Sequence, residues 1–88
     1  MRLDIDRDRL VELVRTQASF GATDDGGLHR LALSDADADA RDWLVARLEA
    51  ADLSVRVDAF GNVFGRREGA DPDAAPVLLG SHLDSQPY

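Results

Sequence analysis

Two side chains near the end of this 88-residue sequence can do chemistry together: His82 and Asp84, in the stretch VLLGSHLDSQPY. They are two residues apart, so on an extended segment they point to the same side. A histidine there can bind a divalent metal through one ring nitrogen. A carboxylate near its other nitrogen fixes the tautomer and raises the basicity of the ligand. The residues before them, Val77 to Gly80, read as a strand covered on both faces, and open α/β sheets place ligand sites at the carboxyl ends of such strands. The same pair also suits a plainer role, with His82 capping the strand by a hydrogen bond and Asp84 lying in the next loop.

Other residues have less to offer. His29 follows two glycines and a leucine, with no acid or second histidine at ligand spacing, and reads as a loop or packing residue. Trp43 falls on the apolar stripe of a helix and reads as core. The spaced aspartates of SDADADARD resemble a calcium loop but lack its central glycine and terminal glutamate, so a solvated helix start is the better account. Ser81 and Ser85 have no base partner at recognisable spacing, which argues against a nucleophile.

The elements that must position His82 and Asp84 follow from hydrophobic periodicity. Between Ile5 and Phe20, Leu10, Leu13, Val14 and Ala18 fall at helical spacing, with Val11 and Phe20 widening the stripe and Gly21 offering a stop. GATDDGG reads as a loop, and LHRLALS is apolar at alternate positions, either extended or irregular. Ser34 is a good N-cap with Asp37 three residues on, and a helix is predicted from about Asp35 to Asp52, burying Ala40, Trp43, Leu44, Leu48 and Ala51. LSVRVDAF alternates as a half-buried strand does, Gly61-Asn62 supplies a turn, and NVFGRR returns as the second strand of a hairpin. EGADPDAAP is a polar loop before the unalternating run PVLLGSHL, predicted as a central strand of a sheet.

That strand needs a neighbour on each side and a layer above and below, and two helices and one hairpin do not provide them. The expectation is therefore an N-terminal piece of a longer protein. Composition narrows the class further. Ten arginines, no lysine, fourteen aspartates and three glutamates give a net charge of −7, which argues against nucleic acid or an anionic membrane as partner. Aspartate-rich, lysine-free sequence is what a high-salt cytoplasm selects; the alternative is an arginine- and alanine-rich product of a high-GC genome. There is no cysteine, so neither disulfide nor thiolate metal site is available. With no signal-peptide pattern and no apolar run of membrane-spanning length, a cytoplasmic location is expected.

Three blocks in order, GGLHRLALSDADADARDWL, DAFGNVFGR and VLLGSHLDSQP, resemble the N-terminal part of the hydantoinase/carbamoylase family of amidases. These are zinc-type amidohydrolases that include N-carbamoyl-L-amino-acid hydrolases, allantoate amidohydrolases and some β-ureidopropionases, within a metallopeptidase-like clan. The resemblance runs from about Leu10 to Tyr88, and Gln86 favours this branch over the peptidase branches.

The resemblance implies an α/β fold in which residues 1–88 are an incomplete N-terminal part of the catalytic domain: two helices, a β-hairpin and the first central strand of a mixed sheet. It implies that His82 is a metal ligand and that Asp84 orients it. The complete enzyme would hold two divalent ions (Zn, Mn or Co), activate a shared water, and hydrolyse the carbamoyl or amide C–N bond of a small ureido or carbamoyl substrate. It would be a homodimer through a later inserted domain. The bridging aspartate, the glutamate pair, the remaining histidines and the substrate-binding arginine of the family pattern are not among these 88 residues, so the chain alone is expected to be inactive. The alternatives are a metallo-exopeptidase or deacylase of the same clan, and a non-catalytic stand-alone relic.

Overall fold

The computed structural model describes residues 2–86, in the order α1 (Arg7–Ser19), α2 (Asp35–Ala50), β1 (Ser54–Val57) and β2 (Val63–Arg66). They fall into two units, residues 2–40 with 83–86, and residues 41–82.

In the first unit, Asp6 caps α1 by accepting the Arg9 N–H at 3.0 Å, which starts the helix two residues later than the apolar pattern suggested. The helix stops as expected before Gly21, whose φ of +85° suits glycine. A Cβ there would lie 2.5 Å from the His29 carbonyl oxygen, so close approach is a second reason for glycine. The stripe is shallower than expected: Leu10 and Val14 stay exposed, while Val11, Leu13 and Phe20 are half-buried. From Gly21 to His29 the chain doubles back. The Gly21 carbonyl accepts the His29 N–H at 2.8 Å, and Thr23 N–H reaches the Gly27 carbonyl at 3.0 Å. Ser34 caps α2 by accepting the Asp37 N–H at 3.2 Å. Asp37 returns a bond to the N–H of Leu33, one residue earlier than a standard capping box, because the shorter acid meets a Leu33 held at φ 68°. Asp37 and Ala40 are buried.

In the second unit, α2 ends in a Schellman motif. Leu53 N–H bonds the Leu48 carbonyl at 3.1 Å, Asp52 N–H bonds the Glu49 carbonyl at 2.9 Å, and Asp52 takes the left-handed position at φ 62°. Trp43, Leu44 and Leu48 are half-buried where burial was predicted, and Ala51 lies past the helix end and is exposed. Strands β1 and β2 pair antiparallel with Ser54 opposite Arg66 and Val57 opposite Val63. Arg56 faces Phe64 in this register, with its guanidinium carbon 4.4 Å from the ring centroid. A Cβ on Gly65 would meet Leu48 Cδ2 at 2.7 Å, so the missing side chain lets α2 lie close on β2.

Two expectations need correction. The hairpin does not turn on Gly61-Asn62 alone; its loop runs over five residues, 58–62, because Asp58 gathers the backbone around its carboxylate. The run 76–83 is not a buried strand in this chain. Val77, Leu78 and Leu79 are 89%, 80% and 89% exposed, and the sheet among the described residues has two strands only, β1 and β2. A strand exists by the strands it pairs with, and among the described residues no strand pairs with this segment.

Candidate functional site

His82 and Asp84 lie in a stretch without regular secondary structure; His82 is exposed and Asp84 half-buried. They fall in different units, and the geometry around Asp84 belongs to the first. There Arg30 is the largest fully buried side chain, at 1% exposure. Its Nε donates to the Leu83 carbonyl at 2.8 Å, and its Nη1 donates to the Phe20 and Gln17 carbonyls at 2.6 and 3.0 Å. The Arg30 N–H donates to Ser85 Oγ at 2.8 Å, and the Ser85 N–H donates back to the Arg30 carbonyl at 2.7 Å. Ser85 Oγ also reaches the Leu28 carbonyl at 3.3 Å. A guanidinium this deep is tolerated because its donors meet carbonyl oxygens, those of Gln17 and Phe20 at the end of α1 and that of Leu83. The last turn of α1 carries no basic residue of its own, so Arg30 supplies the positive charge its dipole favours there.

No motif in the sequence marks Arg30. A signal was present, since alternation in LHRLALS sets Leu28 and Arg30 on one face, and a charge on the inward face asks for buried acceptors. Ser85, set aside as a nucleophile, is instead a tether. His29 is exposed and hydrogen-bonded through its backbone, in keeping with a loop role.

Two carboxylates are shifted. The Asp58 carboxyl is held below its ordinary 3.8, first by the Asn62 side-chain amide at 2.9 Å and then by the Asn62 and Phe60 backbone N–H groups. Asp25 is lowered by the hydroxyl of Thr23 and the N–H of Gly27. Arg41 on α2 donates to the Gly61 carbonyl and so fastens the same loop that Asp58 organises. Both carboxylates serve turns rather than a reaction centre. Within the second unit, Val55, Phe64, Val77 and Leu78 are among the residues lining a cleft of 820 Å³, and His82 is not.

A hydrolytic metal centre needs about three protein donors per ion. Among the described residues, no group of three or more His, Asp or Glu side chains is placed to hold one. The donor set among the described residues therefore does not fit a metal centre by itself.

No family model matches the sequence. Individual proteins do. The N-carbamoyl-L-amino-acid amidohydrolase of Rhizobium meliloti is 43% identical over 83 residues, 94% of this chain and 20% of the relative. The enzyme of the same name from Paenarthrobacter aurescens is 44% identical over 78 residues, 89% of this chain and 19% of its own. In three dimensions, a hydantoinase/carbamoylase family amidase from Burkholderia ambifaria matches 97% of the chain at 52% identity, with a TM-score of 0.92. The chain belongs to the hydantoinase/carbamoylase family of amidases. It spans about a fifth of the length of the relatives it matches, 21% for the Burkholderia amidase. The two helices and two-stranded sheet correspond to part of that family's α/β domain.

Proposed function

We propose that this chain is an N-terminal part of the catalytic domain of a metal-dependent amidohydrolase. The complete protein would hydrolyse the carbamoyl or ureido C–N bond of N-carbamoyl amino acids or related small ureido compounds. The observation that carries this is the likeness, over nearly the whole chain and at half identity, to a solved amidase of the family. In this reading His82 contributes one ligand to a divalent metal site and Asp84 orients its imidazole. The other ligands come from residues outside these 88. The complete enzyme would hold two divalent ions, zinc, manganese or cobalt, and act as a homodimer. No helix among the described residues is long and apolar enough to cross a membrane, and a cytoplasmic site of action is part of the proposal. Adaptation to high salt belongs to it too, since every aspartate except Asp37, Asp58 and Asp84 is exposed.

The test is a pair of assays. The 88-residue chain, supplied with Zn²⁺ or Mn²⁺, is expected to show no turnover of an N-carbamoyl amino acid. Grafted in place of the matching segment of the Burkholderia ambifaria amidase, it is expected to support turnover that His82→Ala abolishes. Turnover by the chain alone, or an active graft indifferent to His82→Ala, would sink the assignment.

A further inference from the structure

The backbone on either side of Asp84 is tied to a single residue. The Leu83 carbonyl belongs to the peptide unit before Asp84, and it accepts from Arg30 Nε at 2.8 Å. The Ser85 N–H belongs to the peptide unit after it, and it donates to the Arg30 carbonyl at 2.7 Å. A third tie, Arg30 N–H to Ser85 Oγ at 2.8 Å, prevents rotation about the second. With both flanking peptide planes held, the φ and ψ of Asp84 are set, and so is the direction in which its Cβ leaves the chain. The anchor is itself rigid, because Nη1 of the same guanidinium bridges the Gln17 and Phe20 carbonyls at the end of α1.

We propose that Arg30 is a positioning residue for Asp84, transmitting the fixed end of α1 through its guanidinium to the backbone that aims the carboxylate. The inference rests on the orienting role given to Asp84 above. A planar fork is required, since one nitrogen must face Leu83 while another faces α1. Lysine, with one nitrogen on a flexible stem, cannot serve both. Ser85 completes the clamp through its hydroxyl, the role its type and place support.

The experiment has two arms. In the isolated chain, NMR is expected to show a slowly exchanging Arg30 Nε–H, a protected Ser85 amide and well-defined residual dipolar couplings at Asp84. Arg30→Lys should speed Ser85 amide exchange about tenfold, the loss of one to two buried hydrogen bonds, and average the Asp84 couplings. Amides in the middle of α1, such as Val14, should keep their protection. Ser85→Ala removes the hydroxyl's bonds to the Arg30 N–H and the Leu28 carbonyl but leaves the guanidinium in place, and it should produce the same signature in weaker form, which covers the case in which Arg30→Lys unfolds the chain. In the grafted amidase, Arg30→Lys should lower kcat about tenfold, the usual scale for residues that orient a ligand, while KM stays within about twofold. Asp84 couplings unchanged in both variants would overturn the positioning role, as would averaged couplings with kcat intact. A graft that stays active with His82→Ala fails differently: it removes the metal-ligand reading while the couplings still report the clamp.

Discussion

As pH falls below the ordinary carboxylate value of 3.8, the carboxylate of Asp58 gives up the charge around which the hairpin loop is built. Its oxygens accept the N–H groups of Phe60 and Asn62 and the Asn62 side-chain amide. These bonds favour the ionised form and hold the group below 3.8, so the folded loop binds its proton less readily than the unfolded chain does. The stability this carboxylate contributes is therefore complete above the unfolded value and is lost as pH falls through the lower folded value. Acid titration followed at the Phe60 and Asn62 amides should show the loop loosening below pH 3.8, with Asp58→Asn flat over the same range. Loop resonances that stay fixed in the parent chain from neutral pH to pH 2 would contradict this. Arg41 holds the loop from the helix side, so the looser loop should remain attached through Gly61.

At the scale of elements, each end is set by a local contest between backbone and side chain. Helix α2 begins where Ser34 can cap it and ends two residues short of the predicted Asp52 because Asp52 adopts the left-handed position. Asp52 completes both Schellman hydrogen bonds at the conformational cost a non-glycine residue bears there. Asp52→Gly should therefore raise stability by about 0.5–1 kcal/mol, read as a shift of the denaturant midpoint at constant slope. A neutral or destabilising result would show that the Asp52 side chain makes a contact outweighing its backbone strain. The hairpin is fixed from the other direction: Gly65 opens the surface on which Leu48 rests, and Arg56 lies over Phe64.

For the molecule as a whole, the unusual quantity is apolar surface left in water. Ala40 is the one buried hydrophobic residue among those described, while Leu33, Phe60, Val77, Leu78 and Leu79 are each at least 80% exposed. An extended apolar run with unpaired backbone invites pairing with another chain. Against this stands the net charge of −7, which keeps copies apart at low ionic strength. Salt decides between them, because at 1 M the screening length falls to about 3 Å while apolar association is strengthened or unchanged. Sedimentation of the isolated chain should show little self-association in dilute buffer and marked association at 1 M salt. Leu78→Asp combined with Leu79→Asp should suppress that association. A chain that stays monomeric at high salt would show that this surface is not sticky.

Much of this was legible in the sequence because it depends on neighbours within a few residues. The period of the apolar residues located α1, α2 and the hairpin, Ser34 and Asp37 marked a helix start, and Gly21 marked a helix stop. Family membership was legible too, in the blocks around His29, Gly61 and His82. Tertiary structure decided what depends on residues far apart. Residues 30 and 83–85 meet across more than fifty positions, so nothing local says that Arg30 is buried or that Ser85 is a tether. Asp58 gathers a five-residue loop where a two-residue turn was predicted, because a turn's length follows from which acceptor wins its N–H groups. Hydrophobicity fixes only a preference for Val77–Leu79 to be covered; whether they are covered depends on a partner strand, which no string of residues contains by itself.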